Sequence, residues 1–140
     1  MPQRHKILVV DDERSIAATL ATILESRGYE TAKAYSGEEA IRVARSFQPD
    51  CVVSDVMMGA MNGIDAVIEI LRTLPHCKVL LVSGNAGYGE LLENARANGF
   101  DLEVMLKPVP PPELLARIAQ LLPRSGAYRE AGIQSASRGR

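Results

Sequence analysis

Short apolar runs alternate with segments of helical period five times along this chain, and a repeat of that kind folds as a parallel sheet with helices on both faces. The first unit sets the pattern. Lys6 to Val10 reads as a buried strand, and Ile16, Leu20, Ile23 and Leu24 then recur at helical spacing as far as Gly28, which predicts a helix over Ser15 to Arg27. A second strand is expected from Glu30 to Ala34, followed by Ser36 and Glu39 at the spacing of a capping box and a helix reaching Phe47. Cys51 to Ser54 is the third strand, and Ile64, Val67, Ile68 and Leu71 mark a helix that must stop near Pro75. Val79 to Val82 and Val104 to Leu106 complete the sheet. Between those two lie a glycine-rich loop, Ser83 to Gly89, and a helix over about Glu90 to Asn98, with Gly99 as its C-terminal cap. Pro110, Pro111 and Pro112 pre-set the first turn of a last helix carrying Leu114, Leu115, Ile118, Leu121 and Leu122.

A chain of 140 residues holds one such core and not two. The ordered unit is expected over residues 1–123. From Arg124 to Arg140 the apolar period is lost, and Gly, Ser, Ala and Arg with the single acid Glu130 read as a flexible basic tail. A net charge of -1 gives no broad electrostatic footprint for nucleic acid, so no direct nucleic-acid contact is expected. The first apolar stretch is cut off by Asp11, Asp12 and Glu13, too early for a membrane span or a signal peptide. A cytoplasmic protein without membrane insertion is the expectation. Cys51 and Cys77 both flank apolar runs and read as buried thiols in a reducing compartment.

Chemistry gathers at the ends of three strands: Asp11-Asp12 after the first, Asp55 after the third, Lys107-Pro108 after the fifth. Taken singly, an Asp pair is also a turn and a helix cap, and a lysine before proline is also a loop. In an open parallel sheet, however, the carboxyl ends of the strands converge on one crevice. Three carboxylates about 5 Å apart repel by roughly 3 kcal/mol per pair at an effective dielectric near 20, so they need a cation or a shared proton. A hard divalent ion with oxygen ligands resolves the conflict; magnesium suits Asp12 and Asp55 as direct ligands and Asp11 through water, with calcium second. One carboxylate can then act as nucleophile toward a phosphoryl group whose charge is offset by the metal and Lys107. Ser83, at the end of the fourth strand, offers a hydroxyl to a phosphoryl oxygen or simply starts a loop.

With Val9-Val10-Asp11-Asp12-Glu13, Ser54-Asp55-Val56-Met57-Met58-Gly59-Ala60-Met61-Asn62-Gly63, Leu81-Val82-Ser83-Gly84 and Leu106-Lys107-Pro108 in this order, the chain resembles the receiver domain of two-component response regulators from Lys6 to about Leu122. The resemblance implies a flavodoxin-like, doubly wound five-stranded parallel sheet of order 2-1-3-4-5 with five helices. It implies Asp55 as phosphoacceptor, Asp11 and Asp12 as the acidic pair, Ser83 as the hydroxyl switch residue, Lys107 as the signalling lysine, and the main-chain carbonyl of Met57 as a further ligand of Mg2+. A histidine kinase or histidine phosphotransfer protein is the implied phosphodonor, and a cis Lys107–Pro108 bond is implied too. Two positions depart from the family pattern: Gly59 stands where proline is usual, and Val104 where an aromatic ring is common, so an aromatic rotamer switch is not expected.

These features together describe a single-domain response regulator, a switch more than an enzyme, that changes its affinity for a downstream protein target when phosphorylated. Two alternatives stand beside it. One is a receiver-like interaction module independent of phosphate; the other is a magnesium-dependent phosphatase or phosphotransferase with an Asp nucleophile. The second is opposed by the placement of the acids, adjacent at 11 and 12 with the third on another strand, rather than as Asp-X-Asp on one.

Overall fold

A computed structural model describes residues 4–122 of the protein. Five parallel strands form one sheet in the order β2-β1-β3-β4-β5: β1 Lys6–Val10, β2 Glu30–Ala34, β3 Cys51–Asp55, β4 Lys78–Ser83 and β5 Glu103–Leu106. The connecting helices are α1 Arg14–Glu25, α2 Gly37–Phe47, α3 Gly63–Thr73, α4 Gly89–Ala97 and α5 Pro111–Leu121. The doubly wound order is the one the resemblance implies. Residues 124–140, where a basic tail is expected, lie outside the described residues.

Side chains alternate across the strands and divide the core in two. Leu8, Val10, Val52 and Leu81 face α2, α3 and α4, meeting Ala40, Ala44, Ile64, Val67, Ile70 and Ala95. Ile7, Val9, Cys51, Val53 and Leu80 face α1 and α5, meeting Ala17, Leu24, Leu114 and Ile118. Because β1 and β3 are covered on both sides, they read as unbroken apolar runs rather than alternating ones. Each fully buried Leu or Ile here contributes about 1.5–3 kcal/mol.

The element ends follow local chemistry. Gly28 and Gly99 take φ of 93° and 92°, the left-handed turn that closes α1 and α4, and Phe100 N–H then returns to Ala95 O at 2.9 Å. Helix α1 ends at Glu25, short of the expected Arg27, because its last bonds tighten: Arg27 N–H reaches Leu24 O and Gly28 N–H reaches Glu25 O, each at 3.0 Å. Ser36 Oγ accepts from Glu39 N–H at 3.0 Å as a capping box requires, but the Glu39 carboxylate accepts from Tyr35 N–H at 2.7 Å, one residue further out than the reciprocal bond. Asn62 caps α3, its Oδ1 accepting from Asp65 N–H at 2.8 Å.

Candidate functional site

The parallel strands end together, and their ends carry Asp11, Asp55, Ser83 and Lys107. Asp11 follows β1, is 4% exposed, and is held twice: its N–H donates to Ala34 O at 3.1 Å and its Oδ1 accepts from Glu13 N–H at 2.9 Å. Asp55 is the last residue of β3 and is 9% exposed, whereas Asp12 faces solvent. Carboxylate oxygens of Asp11, Asp12 and Asp55 lie within 4.8 Å of one another. The Lys107 ammonium stands 3.6 Å from both Asp11 Oδ2 and Asp55 Oδ2, an ion-pair distance beyond hydrogen-bond length, and the bond from Lys107 to Pro108 is cis.

Charge sets the chemistry of this crevice. Three carboxylates and one ammonium leave two formal negative charges, which Lys107 divides between Asp11 and Asp55 without cancelling. Burial pushes the Asp55 carboxyl up; the positive charge of Lys107 lowers it, Asp11 raises it again, and the Met57 N–H bond to the carboxylate lowers it. Burial wins. A hard divalent cation with oxygen preference matches what remains, since the donor set is carboxylate oxygen in a partly closed site with no thiol or imidazole among its members.

Asp55 is further fixed through its own main chain. Ser54, 1% exposed, donates its hydroxyl to Asp55 O at 2.9 Å, and Gly63 N–H donates to Val56 O at 2.7 Å. A Cβ at Gly63 would fall 2.0 Å from Asp55 O and 3.0 Å from Ser54 Oγ, so only glycine fits there. Ser54 and Gly63 bound one of the motifs that carry the resemblance, but the sequence assigns neither of them a role. A further signal is the glycine at the first position of a helix, where better helix formers are usual.

Ser83 is fully buried at the end of β4, on the strand that pairs Val82 with Asp55. Its hydroxyl turns into its own loop, donating to Asn85 O at 2.7 Å and accepting from Asn85 N–H at 3.3 Å, while Asn85 Oδ1 accepts from Gly87 N–H at 2.8 Å. The structure thus brings Asp11, Asp12, Asp55 and Lys107 together and leaves the Ser83 hydroxyl committed elsewhere. Beside the acids, a cavity of about 640 Å³ extends between α1 and α5, lined by Ile16, Leu20, Ile23, Val53 and Leu114 and reaching Asp11 and Lys107.

The model of the response regulator receiver domain matches residues 7–119. The chain belongs to this family. Among relatives of the receiver domain, the DNA-binding response regulator MtrA of Mycobacterium tuberculosis is 33% identical over 122 residues, 87% of this chain and 52% of that protein. The probable transcriptional regulator ycf27 of Pyropia yezoensis is 39% identical over 126 residues, 88% of this chain and 49% of that one. The chain spans about half the length of the curated relatives it matches. In structure it is similar to the chemotaxis protein CheY4 of Vibrio cholerae, with a TM-score of 0.76, 27% identity, and coverage of 86% of this chain and 100% of that one. It is also similar to the response regulator TrrA of Thermotoga maritima in complex with Mg(2+)-BeF, at TM-score 0.72 and 31% identity over 84% of this chain and 99% of that one. Receiver domains are signalling modules of two-component systems with a phosphorylatable aspartate. No helix among the described residues is long and apolar enough to cross a membrane.

Proposed function

We propose that the protein is a response regulator switch, a receiver unit over residues 1–123, whose Asp55 accepts a phosphoryl group from a phosphohistidine on a kinase or phosphotransfer protein. The observation that carries this is the Lys107 ammonium shared at 3.6 Å between Asp11 and Asp55 inside the acid cluster. An Asp55 oxygen attacks phosphorus; the O–P bond forms as the N–P bond breaks, and the electron pair returns to the imidazole nitrogen. Such a transfer asks for alignment and charge compensation rather than for an acid–base pair. Asp12, Asp55, the Met57 main-chain carbonyl and, through water, Asp11 would hold magnesium, which would supply charge compensation for the phosphoryl oxygens.

This chain's own residues do the rest. Lys107 screens one phosphoryl oxygen, and the Met57 N–H that now bonds the Asp55 carboxylate keeps the attacking oxygen aimed. Ser83 exchanges Asn85 O for a phosphoryl oxygen, which frees the loop Gly84 to Gly89 and shifts α4. The new surface, α4 with β5 and α5, changes affinity for a downstream protein, and the phosphoryl group shifts that equilibrium only by as much as it favours one state. The cytoplasm, where kinases draw on nucleoside triphosphate, is the compartment this reading implies. Intact-mass measurement with acetyl phosphate tests it: one phosphoryl group is gained with Mg2+, none with chelator, and none by Asp55→Asn. Steady turnover of a phosphate monoester without a lasting adduct would instead favour a phosphatase.

A further inference from the structure

We infer that Ser54 is a positioning residue for phosphoryl transfer: with the bare Cα of Gly63, its hydroxyl locks the peptide plane that joins the acceptor Asp55 to the metal-binding loop. The inference rests on Asp55 being the acceptor. Ser54 pairs with Val10 and Leu81 in the middle of the sheet and is 1% exposed. Its strand neighbours in the same layer are apolar, Val52 and Leu81 among them, and a buried hydroxyl adds nothing there unless it has a partner. That partner is Asp55 O, at 2.9 Å.

The same carbonyl is also closely approached by the first turn of α3. A methyl group at Gly63 would stand 2.0 Å from Asp55 O and 3.0 Å from Ser54 Oγ, so carbonyl, hydroxyl and glycine are in mutual contact. One residue on, Gly63 N–H holds Val56 O at 2.7 Å. Two successive carbonyls are therefore fixed by the first turn of α3 and by Ser54. The direction of Asp55 O is set by ψ of Asp55, so holding that oxygen also holds Met57 relative to the acceptor's Cβ. Met57 is the residue whose N–H bonds the Asp55 carboxylate.

Between Met57 and Ala60 this loop has little to stiffen it. Gly59 has no atom within 4 Å of where a Cβ would sit, and only Val56 and Met58 anchor the segment in the core. Alignment of attacking oxygen and metal-binding carbonyl thus depends on the Ser54–Asp55–Gly63 contact. A misplacement of the order of 1 Å costs about a hundredfold in such a reaction, and a loosened rather than displaced carbonyl is expected to cost about tenfold.

The test compares wild type, Ser54→Ala, Ser54→Thr and Asp55→Asn by the rate of acyl phosphate formation at saturating acetyl phosphate and Mg2+, with Mg2+ affinity measured separately by calorimetry. Ser54→Ala is expected to lower the saturating rate about tenfold with metal affinity within about twofold, and Ser54→Thr, which keeps the hydroxyl, to restore it to within about threefold. A wild-type rate for Ser54→Ala overturns the proposal while the acceptor reading stands. A Ser54→Thr variant as slow as Ser54→Ala assigns the loss to packing and overturns it as well. If Ser54→Ala does not fold, Ser54→Cys takes its place, and its weak S–H donor must give an intermediate rate; an unchanged rate overturns the proposal. Labelling of Asp55→Asn at the wild-type rate is a different failure, that of the acceptor reading itself.

Discussion

Removing the charge of Asp55 is expected to stabilise the metal-free fold. The carboxylate lies within 4.8 Å of those of Asp11 and Asp12 and 3.6 Å from the Lys107 ammonium. At an effective dielectric near 20, each acid pair at that separation repels by about 3.5 kcal/mol, and the lysine attracts Asp55 by about 4.6 kcal/mol. Asp12 is exposed, so water and salt reduce its share to roughly half. The two repulsions then exceed the attraction by somewhat under about 1 kcal/mol, and desolvation of a carboxylate in this position adds to the same side. Asp55→Asn should therefore gain about 1 kcal/mol, or about 3–6 °C in Tm for a domain of this size.

The pH dependence fixes the sign. Burial raises the folded-state pKa of Asp55, so the native protein binds this proton more tightly than the unfolded chain. The cost of the charge is absent below the unfolded value of about 3.9, and it is complete once pH has risen through the folded value. Thermal melts in chelator should show the variant more stable at neutral pH, with the advantage shrinking toward about pH 4. Adding Mg2+ should raise the wild type and close the gap from the other side. A variant less stable than wild type at neutral pH, or an advantage of equal size at both pH values, would refute this reasoning.

Three further outcomes follow from particular contacts. Gly63→Ala gains about 1 kcal/mol of helix propensity but drives a Cβ into Asp55 O, so urea denaturation should show a net loss of about 2–3 kcal/mol; Gly59→Ala, in open space, should be neutral or slightly stabilising, and equal behaviour of the two would dismiss the close approach. Cys51 and Cys77 are buried on opposite faces of the sheet, and burial pushes the Cys51 thiol far up and the Cys77 thiol up to about 12. Neither should react with a disulfide reagent before unfolding, and oxidation should not link them. Beryllofluoride with Mg2+ should change amide exchange chiefly between Ser83 and Ala97, and Ser83→Ala should suppress that change while leaving metal binding nearly intact; changes confined to the loop around Gly59 would exclude α4 as the relay.

Much of this is legible in the sequence because the determining patterns are local. Ile7 to Val10 and Cys51 to Val53 are long enough for strands and too short for helices, and parallel strands carry whatever follows them to one edge. Asp11, Asp12, Asp55 and Lys107 could thus be placed together from spacing alone, and the structure does bring them together. What spacing does not carry is close approach between elements. The contact of Gly63 with Asp55 O depends on how near the first turn of α3 passes to the end of β3, and no periodicity encodes that distance. The Ser83 hydroxyl turns back onto Asn85 O, a contact set by the path of its own loop and not by any spacing in the sequence. Glu39 reaching Tyr35 rather than Ser36 is similar: the spacing fixes which residues meet, and the path of the entering chain fixes which N–H is met.

The claim on which the rest depends is that Asp55 is the phosphoacceptor. Reduction of the acetyl phosphate-treated protein with borohydride converts an aspartyl phosphate to homoserine, and peptide mass spectrometry then reads its position. Homoserine at residue 55, formed with Mg2+ and absent with chelator, is the predicted result. Homoserine at Asp11, Asp12 or any other acid, or at residue 55 regardless of metal, would contradict it.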